Sequence, residues 1–219
     1  MCFSAGASFG ASVILGTIGV VTVKKTTDRT QVPFAAIPLI FAVQQFSEGV
    51  LWIGLTDPAH ASWQHLPVYI FLIFAQLIWP SWIPFALLRL ETNPARKKWL
   101  QVFLAMGLTT SGYLLYCLFF YEVSAEIQSG HIHYILNFPF ALAWITSILY
   151  FIPTVMSLFV SSIKGMMALA FAILISFFAT KIFFDDYLIS VWCFFAAGLS
   201  LMVLWITSMF ISPKESITA

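Results

Sequence analysis

Glu48 is the only acidic side chain inside an apolar stretch of this sequence. A carboxylate near the centre of a bilayer costs about 2.5–3.5 kcal/mol on insertion scales. A protein that keeps one there must turn it into the helix bundle, protonate it, or give it a cation to hold. Gln44 and Gln45 stand one turn before it and Trp52 one turn after, so a helix would align a polar strip closed by an aromatic ring. Two chemistries fit. The carboxylate is a ligand or a general base tuned by burial, or it makes a structural hydrogen bond between helices.

The sulfur and imidazole groups are few: Cys2, Cys117 and Cys193, with His60, His65, His131 and His133. Thiolate and imidazole bind Zn and Cu, and a carboxylate can complete the set. Cys2, Glu48, His131 and Cys193 would make a chemically adequate metal site, with Cys2 and Glu48 doubling as nucleophile and base. No Cys-x-x-Cys or comparable local spacing occurs, so such a site would be assembled by the fold from distant segments. Plainer readings stand beside this one. His131 and His133 could be solvated interfacial residues, Cys193 a small core residue, and Cys2 with Cys193 a disulfide on an oxidising face.

What must position these groups is a membrane domain. Of 219 residues, 61% are hydrophobic and 9% charged, against roughly 25% charged in a soluble domain; mean hydropathy is +0.95. Apolar stretches long enough to cross a hydrocarbon core, roughly 20 residues each, lie near 5–23, 33–55, 66–90, 99–121, 133–160, 166–184 and 188–211. The expectation is an all-α bundle of seven transmembrane helices forming one domain over 1–219, with no linker and no soluble module. Lys24, Lys25, Arg29, Arg89, Arg96, Lys97, Lys98, Lys164 and Lys214 fall after spans one, three, five and seven; the remaining gaps hold only Lys181. Short basic loops stay cytoplasmic, which predicts an outside N-terminus and a cytoplasmic C-terminus. Span two then runs outward, and about 15 residues at 1.5 Å each carry Glu48 into its outer half.

Several features speak of packing. Ser8, Ser12 and Gly16 recur every four residues on the first helix, and Ser190, Cys193, Ala197 and Ser200 share one face of the last. Small stripes let helix backbones approach in lipid. Pro33, Pro38, Pro80, Pro84, Pro139 and Pro153 predict kinks or breaks, and broken helices can line a substrate path.

Other functions are set aside. The last span has no lysine for retinal, no histidine lies well inside a span to hold a haem, and near-neutral charge argues against nucleic acid. The first basic residues follow the first apolar run, so it does not read as a cleavable signal.

Met1-Cys2-Phe3-Ser4-Ala5, Gln44-Gln45-Phe46-Ser47-Glu48-Gly49-Val50-Leu51-Trp52, Trp79-Pro80-Ser81-Trp82, Gly130-His131-Ile132-His133-Tyr134 and Ser190-Val191-Trp192-Cys193-Phe194-Phe195-Ala196-Ala197 together resemble an uncharacterised family of bacterial seven-span membrane proteins. The resemblance implies a multi-pass bacterial inner-membrane protein and a grouping of Cys2, Ser4, Gln45, Glu48, His131, Tyr134, Trp192 and Cys193; it implies no activity. By the topology above, all of these lie in the outward half. Three functions follow as expectations: an outward-facing site for a transition metal (Zn or Cu) or small ligand, with redox or hydrolytic chemistry; a proton- or cation-coupled carrier of a small solute using Glu48; or a sensor or assembly partner without ligand chemistry. The sequence leaves oligomeric state and the choice between enzyme and transporter open.

Overall fold

The computed structural model describes residues 4–139 and 143–211. Six of its helices are long and apolar enough to cross a membrane. α1 (Ala5–Lys24) is capped by Ser4, whose hydroxyl accepts the Ala7 N–H at 3.2 Å. α2 (Val32–Ala35) leads into α3 (Ile37–Thr56). Pro33 and Pro38 occupy first-turn positions, where a missing N–H removes no helical bond; they begin helices here and do not break them. The third span is α4 (His65–Leu72), a π-helical turn Ile73–Ile78, and α5 (Trp79–Leu90). α6 (Pro94–Phe120) follows after a cap from Asn93. α7 (Ala143–Phe151), a π-helical turn Ile152–Met156 and α8 (Ser157–Val160) form a shorter apolar rod, Trp144–Val160. α9 (Met166–Phe183) precedes the last span, made of α10 (Leu188–Gly198), α11 (Ser200–Ile206) and a π turn Thr207–Ile211.

The expectation of an all-α chain with a helix from 133 is corrected at one place. β1 (Val123–Gln128) and β2 (His131–Leu136) form an antiparallel hairpin, with Gln128 opposite His131 and Val123 opposite Leu136. Ser129 and Gly130 have φ of 50° and 77°, the two positive values that a tight two-residue hairpin turn needs. Ile132 and Tyr134 share one face and are buried, and on the other face His131 is buried at the turn end while His133 is half-buried.

Prolines and small residues set the helix contacts. Pro80 has no N–H for the carbonyl four residues back, and the preceding turn is widened to π geometry. Pro153 lies inside the second π turn. The carbonyls of the first π turn find side chains: Tyr150 Oη donates to Ala75 at 2.6 Å and Ser111 Oγ to Leu77 at 2.6 Å. Gly107 on α6 sits so close to α5 that a Cβ there would meet the Pro80 carbonyl oxygen at 1.8 Å. The expected small stripe on α1 packs along α3: Ser12 Oγ donates to Ala42 O at 2.8 Å, and a Cβ on Gly16 or Gly49 would touch Ala42 or Phe9. The pairing is antiparallel and brings Ser8 level with Gln45 to Gly49.

The two ends of the bundle differ. At one, Gln31 Nε2 donates to Ile211 O at 3.2 Å, Arg96 Nη1 to Val160 O at 3.0 Å, and Ser162 to Glu91; the basic turns gather here. At the other lie the hairpin, the 3-10 turns Pro58–Trp63 and Asp185–Tyr187, and the Lys181–Asp185 ion pair. Val13, Ile14, Phe119, Ile175, Ile182 and Phe183 are exposed around the sides, an apolar girdle that suits hydrocarbon surroundings.

Candidate ligand-binding site

α3 carries Gln44, Gln45, Glu48 and Trp52 into the bundle; the first three are completely buried and Trp52 nearly so. The predicted strip is therefore real. Glu48 stands eight residues from the end of α3, about 12 Å in from the hairpin end. Its Oε1 accepts a hydrogen bond from Ser190 Oγ at 2.6 Å. Ser190 is in the first turn of α10, where the helix dipole favours a negative neighbour. One turn on, the Cys193 thiol faces the Gln44 side chain and the Glu48 carboxylate. Gln44 Oε1 accepts from Trp79 Nε1 at 3.0 Å, and the Trp79 ring stacks on Phe41 at 4.0 Å. A polar track thus runs from Trp79 through Gln44 and Cys193 to Glu48 and Ser190.

Beside this track lies hydrogen-bonding capacity with no protein partner among the described residues. Both ends of the Gln45 amide, the Trp52 indole N–H and the Ser8 hydroxyl are buried and unbonded. Such groups are rare in native interiors, and each costs several kcal/mol in a medium without water.

The hairpin closes the site from above. Tyr134 stacks on Phe71 at 4.8 Å and belongs, with Trp52 and Cys193, to one apolar cluster. His131 stacks on Tyr187 at 4.8 Å and touches Phe184. Burial holds its imidazole below the ordinary pKa, favouring the neutral ring. His133, on the same face of the strand as His131, lies edge-on to Tyr187 at 6.1 Å and stands 3.5 Å from Glu126 across the hairpin. Both histidines are thus on a strand and not in an open loop.

The remaining candidates separate. Trp192 turns away from Glu48 towards Tyr150 and Phe177. Ser4 is exposed and spent on capping α1. Cys2 lies outside the described residues, and among the described residues no three His, Cys, Asp or Glu side chains come together to hold a metal. Cys193 and Cys117 are buried free thiols. Sequence reasoning missed the bonding role of Ser190, which looked like one more small residue in a packing stripe, and that of Trp79, whose N–H orients Gln44.

An apolar exterior around a helical bundle with a buried polar track defines a polytopic helical membrane protein. The chain belongs to the family of unknown function DUF6629, whose model matches residues 1–216. No curated protein and no solved structure matches it.

Proposed function

We propose that this protein binds a small polar ligand inside the membrane bundle, at a site formed by Glu48, Gln45 and Ser190 in the half away from the basic turns. Gln45 carries the proposal: a completely buried amide, beside a buried carboxylate, with neither its nitrogen nor its oxygen bonded among the described residues. A purely structural strip would have these groups paired with each other or with backbone, as the Trp79 N–H and the Gln44 Oε1 are. Glu48 is then the main recognition group, Ser190 fixes one of its oxygens, and the hairpin with His131 and Tyr134 excludes water from above. A transition metal held with Cys2 and His131 is one form the occupant could take.

The test is thermal unfolding in nanodiscs with ethanolamine, glycerol, Zn2+ and Cu2+, alongside elemental analysis. At least one of these should raise the Tm of the wild type and leave Glu48→Gln and Gln45→Leu unmoved. A flat panel with no bound metal, or a response that survives in Glu48→Gln, overturns the proposal. A Zn2+ or Cu2+ response that also needs Cys2 and His131 makes the occupant a metal.

The π turns at Ile73–Ile78, Ile152–Met156 and Thr207–Ile211 favour a second reading, because π turns in helices often accompany function. In it the protein carries a small solute, with Glu48 as the coupling group and the widened turns as moving parts. Uptake into proteoliposomes driven by a pH gradient, abolished in Glu48→Gln, supports that reading; uptake unchanged in the variant removes it.

For the membrane arrangement we propose seven crossings, the seventh rod being Trp144–Val160, with the N-terminus outside and the basic end cytoplasmic. The gathering of Lys24, Arg29, Arg96 and Lys164 at one end supports it. Labelling of a cysteine at Gln128, in a background lacking the native cysteines, by an impermeant reagent on intact cells tests it.

A further inference from the structure

A slot walled by apolar side chains runs from Trp192 and Cys193 down towards Leu87 and Val203. Counted as the space open to the centres of water-sized spheres, its volume is about 60 Å³; one such sphere needs roughly 10–15 Å³, so several methylene-sized groups fit in file. From Cys193 to Val203 the slot follows the last span for about 15 Å.

Water has little to bind there. The polar groups in the wall are engaged elsewhere: Tyr150 Oη with Ala75 O, Thr154 Oγ1 with Tyr150 O at 2.7 Å, and Trp79 Nε1 with Gln44. A buried water needs two to four partners. The one donor left unbonded among the described residues lining the slot is Trp192 Nε1, and it sits at the Cys193 end. Cys193 belongs to both places, lining the slot while facing Gln44 and Glu48. Trp79 is shared as well, lining the slot while donating to Gln44, so the apolar slot and the polar track meet at two residues. The lining residues that keep surface include Ile173 on α9 with Ala196 and Leu199 of the last span. These three residues lie within the membrane-length helices Met166–Phe183 and Asp185–Ile211, so the mouth is on the side of the bundle.

Resting on the ligand site proposed above, we infer that its occupant is a single-chain amphiphile drawn sideways from the bilayer. Its apolar chain lies in the slot and its hydroxyl- or amine-bearing head reaches Glu48 and Gln45. Lipid is as apolar as the slot wall, so the chain gains packing and not transfer from water. Selection falls to the head, where a donor suits Glu48 and an anionic head does not.

The experiment compares glycerol monododecanoate, glycerol monoacetate and dodecanoic acid for stabilisation of the full chain in nanodiscs, at matched bilayer mole fraction. The dodecanoyl ester should bind about tenfold or more tightly than the acetyl ester, the scale of difference that chain contacts in an apolar pocket give, and dodecanoic acid should be weak. Ala196→Phe, which fills the slot away from Glu48, should erase the chain-length advantage while keeping the acetyl response. Leu199→Ala, which enlarges it, should shift the preference to a longer chain and remains informative if the first variant fails to fold. Equal response to both esters, or chain-length preference unmoved in both variants, overturns the amphiphile and leaves the polar site standing. A wild type that responds to neither ester overturns the amphiphile, and one that is also silent to ethanolamine, glycerol, Zn2+ and Cu2+ and holds no metal overturns both.

Discussion

Two buried glutamates, one in each half of the bundle, have different neighbours. Glu91 accepts four hydrogen bonds: from the Thr92 and Asn93 N–H groups at 3.0 Å each, and from the Ser162 hydroxyl and N–H at 2.7 Å each. Burial alone would raise its pKa, but the Ser162 bonds and those from Asn93 and Thr92 outweigh it and hold the carboxyl below its ordinary value. It ties the turn after α5 to the turn before α9. Glu48 accepts from Ser190, but it lies beside a Gln45 amide whose groups are unspent. A carboxylate enclosed by matched donors is a fastening. One beside an amide with unspent groups is where the ligand site proposed above would lie.

That contrast can be broken by substitution. Glu91→Ala should cost the most, about 3 kcal/mol, since it removes four charge-assisted bonds and strands their donors; a Tm unchanged in detergent would show that the turn does not depend on it. Ser162→Ala, which removes one of those bonds and leaves the Ser162 N–H in place, should cost about 1–2 kcal/mol. Gln45→Leu should go the other way, stabilising the empty protein by about 1 kcal/mol by replacing an unbonded amide with an apolar side chain; destabilisation would mean that Gln45 is structural.

Acidity should also separate the two ends. Glu91 has a folded pKa below its ordinary 4.5, so its contribution is complete above that pH and is lost as pH falls through the lower folded value. His131 is depressed below 6.5 by burial. Its neutral form is the one the fold accommodates, so hairpin docking is favoured above that pH and weakens as pH drops towards the folded value. Hydrogen exchange in Val123–Leu136 should therefore quicken on mild acidification, before the Glu91 turn loosens; a hairpin indifferent to pH would separate His131 from docking.

Much of this was legible. The strip on α3 followed from helical spacing, and the sorting of basic turns to one end followed from charge alone. The hairpin was not, because His131–Leu136 runs into an apolar helix and the combined stretch reads as one span. The signal was there in Ser129-Gly130 between two alternating runs. Trp192 was grouped with Cys193 by the family resemblance, which marks a block of sequence and not a helix face, and adjacent residues on a helix point about 100° apart. Ser190 was hidden because a small residue serves packing and bonding equally well.

The rod Trp144–Val160 holds 17 residues, about 26 Å at helical rise, against a hydrocarbon thickness of about 30 Å. Its longer neighbours, such as α6 with 27 residues, can tilt to fit; a rod that is too short cannot lengthen. If the rod is the seventh crossing proposed above, hydrophobic mismatch falls on that flank, where the bilayer thins or the helix ends draw polar groups inward. Because Tyr150, Thr154 and Leu158 of that rod line the apolar slot, any shift of the rod against its longer neighbours is also a change in the slot's shape.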